Sequence, residues 1–191
     1  MMKPKTLIKI VIFLVIAVLL KTNMSAQNFK DLDEAPQDIA YYRENRITPP
    51  IVKVIYGRPQ KKGKEVFGNL VAYGKLWKTG ANEATEIKFY QDILFGGVKV
   101  SAGTYVLLTI PGENEWEVIL SSNIDVWDAF QYNPLFDVAK ITVPSNKDEV
   151  LEVFSIAFKE KKDIVQMILA WDSTRIKIPI TLKIKELYAK L

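Results

Sequence analysis

Residues 77–85 are the stretch whose residue types best suit a binding site. They read Trp-Lys-Thr-Gly-Ala-Asn-Glu-Ala-Thr, which places an indole, a cation, a carboxamide and a carboxylate within nine positions. The stretch leads into a predicted strand, and loops beside strands often carry binding groups. Asn82 and Glu83 can coordinate a hard cation or hydrogen-bond sugar hydroxyls, or they can fix the loop by bonding to nearby backbone. The residues alone leave both interpretations open.

Nearby cations extend the binding hypothesis. Arg58, Lys64 and Lys78 can form a cradle for an anionic ligand, or they can join carboxylates in a network of ion pairs between loops. Trp77 can stack against a sugar ring. The predicted ligand-binding set is therefore Arg58, Lys64, Trp77, Lys78, Asn82 and Glu83.

The other three tryptophans divide by their position in the pattern. Trp116 and Trp171 fall at inward positions of predicted strands, so we expect them in the core. Trp127 lies in a loop-like region with Phe130 and Tyr132 and, like Trp77, is a surface candidate.

The composition excludes several kinds of catalytic site. The 191-residue chain has no histidine and no cysteine, which removes Ser-His-Asp triads, Cys-His dyads, histidine-bearing zinc sites and disulfides. We predict no catalytic residue, no metal ligand and no cofactor. The alternative is a hydrolase with Glu83 as general base or metal ligand, although no spacing pairs Glu83 with Asp125, Asp128 or Asp137.

Residues 1–26 are predicted to be a secretory signal peptide. Lysines at positions 3, 5 and 9 precede an unbroken apolar run from Ile10 to Leu20, and Ala26 offers a small residue before a cut at Gln27. The run is shorter than the ~20 residues that span a bilayer, and an uncleaved anchor is the alternative. We therefore expect a periplasmic or secreted protein, with membrane contact only through this segment before cleavage.

Removal of this segment also changes the charge. It takes away four of the 26 Lys and Arg residues and no acid, which leaves 22 basic residues against 22 acidic ones. A neutral chain has no overall field to attract nucleic acid, so we expect no nucleic-acid partner. The remaining length of about 165 residues suits one domain.

The mature part is predicted to be all-β, an antiparallel β-sandwich of jelly-roll type with short peripheral helices. Gly96-Gly97 predicts a two-residue hairpin, and Pro144 is expected to end the strand before it. Alternating apolar residues between polar turns predict strands at 51–56, 85–89, 93–95, 98–100, 103–110, 115–120, 139–143, 149–158, 164–171 and 175–184.

Composition sets the predicted domain boundaries. Residues 27–50 are polar and are predicted to form an arm, with a short helix within 31–46. Residues 51–184 form the sandwich, and residues 185–191 form a tail that can curl into a short helix.

Several motifs spread over residues 45–184 carry a family resemblance. They are Tyr56-Gly57-Arg58-Pro59, Lys62-Gly63-Lys64, Val66-Phe67-Gly68, the run from Tyr73 to Thr85, Ala102-Gly103-Thr104-Tyr105, Ile110-Pro111, Trp116, Trp127 and Trp171. In these motifs the chain resembles the bacterial envelope domain-of-unknown-function family 2911. Lys64 and Lys78 stand where that family commonly has arginine, and lysine lacks the two-pronged geometry of arginine. The family has no established activity to carry over.

These observations predict an exported, non-catalytic domain that binds a small ligand, a glycan or an envelope partner through the predicted set. A hydrolase is one alternative. A purely structural domain is the other, in which residues 77–85 serve as a buried brace. The sequence carries no signal for oligomeric state.

Overall fold

The computed structural model describes residues 31–124, 129–162 and 164–182. The strands in these ranges are β1 (Gln37–Tyr42), β2 (Val52–Gly57), β3 (Glu86–Phe89), β4 (Ile93–Phe95), β5 (Val98–Val100), β6 (Gly103–Ile110), β7 (Glu115–Ser121), β8 (Asp137–Lys161) and β9 (Ile164–Leu182). Two short 3₁₀ helices, Ala129–Gln131 and Pro134–Phe136, precede β8. All of these elements belong to the compact unit Asp33–Leu191.

The described strands form one sheet in the order β1-β2-β3-β6-β7-β8-β9-β4-β5, and each neighbouring pair is antiparallel. The predicted all-β class is therefore confirmed. Gly96-Gly97 joins β4 to β5 as predicted, since both glycines have positive φ angles of 56° and 91° and a two-residue hairpin requires that conformation.

The sheet folds over one main core, and Val106, Leu108 and Ile119 form a second, smaller apolar cluster. Tyr56 of β2 packs edge-on against Phe154 of β8 with ring centroids 5.7 Å apart, and Phe89 of β3 lies 6.2 Å from Phe95 of β4. These pairs come from strands that are distant in the strand order, so the two ends of the sheet face each other. Trp116 is buried in this core, as the alternation of β7 predicts.

Two predicted breaks in the strands are wrong. Residues 139–143 and 149–158 belong to the single strand β8, and residues 164–171 and 175–182 belong to β9. Pro144 lies where β8 exchanges its partner β7 for β9, so its missing N–H interrupts no continuous ladder. Residues 170–174 of β9 face an irregular part of β8, where steps of four residues (Lys147 to Leu151 and Leu151 to Ser155) lie opposite steps of two residues in β9, and Asp172 has a φ of 48°.

The predicted helix within residues 31–46 is also wrong. Residues 37–42 form β1 and pair with β2 along their whole length, from Gln37 opposite Gly57 to Tyr42 opposite Val52. The segment has too few apolar residues for the stripe of a helix, but an edge strand needs apolar residues only on one face. Part of the predicted arm thus belongs to the sheet.

The predicted signal peptide (1–26) and C-terminal tail (185–191) lie outside the described residues. Within the described ranges, no helix is long and apolar enough to cross a bilayer.

Candidate functional site

Residues 77–85 form a loop whose two ends are both anchored to β6. Trp77 exchanges backbone hydrogen bonds with Thr109, at 2.7 and 3.0 Å, and the Thr85 carbonyl accepts from the Leu107 amide at 2.8 Å. The Thr85 amide also donates to the Lys78 carbonyl at 3.1 Å, which closes the loop upon itself. A loop fixed at both ends holds the side chains between them in defined positions.

The base of this loop is a set of residues that we call the root: the buried Thr79, Gly80 and Thr85 and the partly buried Trp77. Thr79 and Thr85 are fully buried. The Thr79 hydroxyl lies 3.0 Å from the Thr109 hydroxyl, and the Thr85 hydroxyl donates to the Thr79 carbonyl at 2.7 Å. Buried polar groups need such hydrogen-bond partners. The hydroxyls of the two threonines therefore stabilise the conformation of the loop.

Backbone packing beneath the loop is also tight. A Cβ atom added at Gly57 would lie 2.1 Å from the carbonyl oxygen of Ala81. Only glycine allows this approach of the end of β2 to the loop. The backbone of the loop therefore lies in direct contact with the end of β2.

The indole of Trp77 packs among other aromatic rings. It stacks on Trp171 with centroids 6.0 Å apart and an interplanar angle of 23°, and it meets Phe154 and Phe67 edge-on at 5.1 and 6.0 Å. Its Nε1–H donates to the Gly80 carbonyl at 3.1 Å. These neighbours belong to the protein core, so the indole packs as part of the root.

Asn82 and Glu83 form the opposite end of the loop, which we call the tip. Both side chains are exposed. Asn82 adopts a positive φ of 62°, a conformation that asparagine tolerates better than most residues, and its amide donates to the Ala35 carbonyl at 3.2 Å. Within the described part of the chain, no group hydrogen-bonds the Glu83 carboxylate.

An open cleft of about 490 Å³ lies at the tip, lined by Asp33, Lys78, Asn82 and Glu83. Three of the six predicted residues therefore meet in one place. Asp33 was not predicted, because it lies 45 positions before Lys78 and nothing in the local sequence links the two. The cleft offers carboxylate, amide and ammonium groups within reach of one small molecule.

The Arg58 side chain forms hydrogen bonds with residues of the neighbouring strands. Its guanidinium donates to the Phe154 carbonyl at 3.2 Å, to the Asp38 carboxylate at 2.9 Å and to the Ser155 hydroxyl at 2.9 Å. It ties the end of β2 to β1 and β8, which matches the ion-pair network weighed as the alternative for the cations. Lys64 is exposed in the turn 61–64 and does not line the cleft.

A second ion pair holds the segment after β2 to Asp172 of β9. Lys61 Nζ lies 2.7 Å from Asp172 Oδ1, and both side chains are largely buried. Burial alone raises the pKa of the Asp172 carboxyl. The hydrogen bond and charge of Lys61, together with the backbone amides of Val66 and Ser173, outweigh that effect and hold the pKa below 3.8.

The other acidic residues considered for the hydrolase alternative lie away from the loop 77–85 in sequence. In the described ranges, no three acidic, histidine or cysteine residues are grouped to hold a metal ion. Asp137 accepts a hydrogen bond from the Tyr132 hydroxyl at 2.6 Å, and burial together with this bond raises the pKa of Tyr132 to about 12. Asp125, Trp127 and Asp128 lie outside the described residues.

Comparison with protein families identifies the family to which the loop and the sheet belong. A family model described as "Protein of unknown function (DUF2911)" matches residues 40–180, which includes the whole loop 77–85 but not Asp33. Neither a curated protein nor a solved structure matches the chain.

Proposed function

The chain belongs to the DUF2911 family of proteins of unknown function, and we propose that it is an exported, non-catalytic module that binds a small polar ligand of the saccharide type at the cleft beside the tip. The observation that carries this proposal is the contrast within one loop. The root is largely buried and hydrogen-bonded, whereas the tip places Asn82 and Glu83 in an open cleft with Lys78 and Asp33.

The chemistry of the cleft favours a ligand rich in hydroxyl groups. Carboxylates accept hydrogen bonds, an ammonium donates them, and an amide does both. A sugar presents hydroxyls that need donors and acceptors side by side, and the cleft supplies both kinds of group. Its four lining residues are all polar, so we assign recognition to hydrogen bonds and not to stacking.

Rigidity of the loop supports binding by the same residues. Loops that must be ordered on binding lose affinity to that ordering, and a preformed loop avoids the loss. The root, the Gly57 contact and the Asn82–Ala35 bond already hold the tip in place. Glu83 can then accept from ligand hydroxyls without a competing bond from the described protein.

The test is a thermal-shift and calorimetric screen of the full chain against monosaccharides and disaccharides. A saccharide that binds the folded form raises the melting temperature. In the double variant Asn82→Ala/Glu83→Gln we expect the affinity for that saccharide to fall about tenfold or more, since two hydrogen bonds, one of them to a charged group, are lost. Glu113→Gln is the matched control, because Glu113 is exposed in another turn and does not line the cleft.

Two results would count against the proposal. One is a screen in which no saccharide shifts the melting temperature at millimolar concentration. The other is a saccharide whose affinity is the same in the double variant and in Glu113→Gln.

A hydrolase is the second candidate, and one observation favours it. Two carboxylates, Asp33 and Glu83, line the same cleft, and paired carboxylates are the usual equipment of glycoside hydrolysis. In that case the wild-type chain should release the leaving group from aryl glycosides, and Glu83→Gln should abolish release while saccharide binding persists. No release by the wild type leaves the binding module as the proposal.

A further inference from the structure

A second cleft lies on the β8–β9 hairpin and shares no lining residue with the first. Its volume of about 510 Å³ is of the size that small-molecule sites have. Its charged lining residues are four cations, Lys159, Lys161, Arg175 and Lys177, and one carboxylate, Asp148. The lining therefore carries an excess of positive charge, although the chain without residues 1–26 is neutral by formal count.

Arg175 distinguishes this cleft from an ordinary lysine-bearing surface. It is only 8% exposed, and among the described residues it is the one buried side chain that carries a charge. Its Nη1 donates to the carbonyls of Asp172 and Thr174 at 2.9 Å each, and its Nη2 donates to the Glu149 carbonyl. These bonds fix the guanidinium in place at the wall of the cleft.

The charge of Arg175 has no acidic partner within the described residues. The carbonyls that it contacts orient the group but carry no formal charge. Buried charges are costly unless they are paired. Its Nε–H and one hydrogen of Nη2 also lack an acceptor among those residues, so the group retains capacity to bind an oxyanion.

Two lysines of the cleft, one on each strand, also lack an acidic partner among the described residues. Lys159 comes from β8 and Lys177 from β9, both are exposed, and neither forms an ion pair with a described carboxylate. Like charges gathered in one concave surface repel one another, and an anion bound between them relieves the repulsion. The cleft is thus electrostatically matched to an anion of more than one charge.

We propose that this cleft binds the phosphate group of a small phosphate monoester that also carries hydroxyls, as a sugar phosphate does. A phosphate monoester has three acceptor oxygens and a charge of about −1.5 to −2 near pH 7, up to twice the charge of one carboxylate. Arginine binds such groups with paired N–H donors. Gln166 and Asp148 line the same cleft and can bond the hydroxyls, while Ile168 contributes an apolar wall.

The test compares glucose 6-phosphate with glucose by calorimetry on the full chain. We expect glucose 6-phosphate to bind more tightly than glucose, and added sodium chloride to weaken this extra affinity because the attraction to the phosphate is screened. In Lys159→Gln/Lys177→Gln the affinity should fall roughly tenfold, since two partly screened charge contacts are removed. Lys75→Gln/Lys99→Gln is the matched control, because it removes two exposed lysines that line neither cleft.

Vesicles identify the source of the phosphate. In one outcome the protein cosediments with phosphatidic acid vesicles but not with phosphatidylcholine vesicles, and Lys159→Gln/Lys177→Gln abolishes this. That result would support the site and assign its phosphate to a lipid headgroup. The proposal is overturned if glucose and glucose 6-phosphate bind equally, if neither probe nor vesicle binds, or if the cleft variant binds like the control. Because the Asn82→Ala/Glu83→Gln variant leaves this cleft intact, failure of one proposal does not imply failure of the other.

Discussion

The root and the tip of the loop 77–85 lie only a few residues apart, yet their environments are opposite. Trp77 is surrounded by rings from β8, β9 and the segment after β2, and Thr79 and Thr85 are fully buried. Asn82 and Glu83 are exposed at the edge of a cleft. One short segment therefore combines a structural brace with a surface suited to recognition.

This contrast explains why the sequence admits both interpretations of the segment. A brace and a binding loop both use aromatic, hydroxyl and amide groups, because each must satisfy polar atoms in a confined space. The division becomes visible only when burial separates the two ends. Substitutions in the root should then change stability, whereas substitution of Glu83 at the tip should change ligand binding alone.

The largest effect is expected from Trp77→Ala. Removing the indole empties a space between four aromatic rings and leaves the Gly80 carbonyl without its donor. We expect the free energy of unfolding to fall by about 3 kcal/mol, at the lower end of the range for truncating a large aromatic residue, because Trp77 is only partly buried. Melting temperature should drop by roughly 6–12 °C.

Trp77→Phe is the matched control for this substitution. It keeps an aromatic ring in the space and removes the Nε1–H, so most of the stability should return. A loss below about 1 kcal/mol in Trp77→Ala, measured by urea unfolding, would show that the root does not stabilise the fold and would remove the contrast between root and tip.

A smaller effect is expected from Lys61→Met. The substitution leaves the largely buried Asp172 carboxylate unpaired, and we expect a loss of about 1–2 kcal/mol at pH 7, between the values for exposed and for buried pairs. The pKa of Asp172 is lower in the folded state than in the unfolded state, so the pair stabilises the protein above pH 3.8 and this stabilisation disappears as the pH falls through the folded pKa. The wild type and the variant should therefore converge in acid.

Lys62→Met provides the control for this pair. Lys62 forms a 2.6 Å ion pair with Glu34, but both side chains are mostly exposed, and exposed pairs contribute little. Urea unfolding of the three proteins at pH 7 and near pH 3 makes the comparison. An equal loss in both variants, or a gap between wild type and Lys61→Met that does not narrow in acid, would contradict the role given to Asp172.

The smallest effect on stability is expected from Glu83→Gln. The carboxylate is exposed and makes no hydrogen bond with a described residue, so unfolding free energy should change by less than about 0.5 kcal/mol. Chemical unfolding of Glu83→Gln beside Glu113→Gln tests this directly. A loss above 1 kcal/mol would place the tip within the brace and leave the cleft without a dedicated recognition residue.

Local pattern was sufficient for much of the sheet. The strand 103–110 and the turn Gly96-Gly97 coincide with β6 and the β4–β5 connection, because alternation and paired glycines report backbone geometry directly. The prediction that Pro144 ends a strand was wrong, because the effect of a proline on a strand depends on which strand pairs with it. That partner is remote in sequence. The pairing of β1 with β2 was hidden for a similar reason, since a short edge strand carries few apolar residues.

The candidate site also contains residues that local sequence predicts and residues that it does not. Lys78, Asn82 and Glu83 were predicted from neighbouring positions and do meet at one cleft, whereas Arg58 and Trp77 turn toward the framework. Residue type cannot distinguish these two roles, because an arginine that links β1 and β8 and an arginine that binds a ligand look the same in the sequence. Asp33 and the basic cleft on β8 and β9 depend on contacts between distant segments, and no local spacing announces them.

The amino-acid sequence by itself determined the all-β class, the absence of histidine and cysteine chemistry, and the loop on which aromatic, charged and amide groups are concentrated. These properties follow from composition and from the two-residue period of strands, which act locally. Tertiary structure alone decided which of those groups are consumed in holding the fold and which meet in a cleft. That choice depends on burial and on the partners that the folded sheet brings together across the chain.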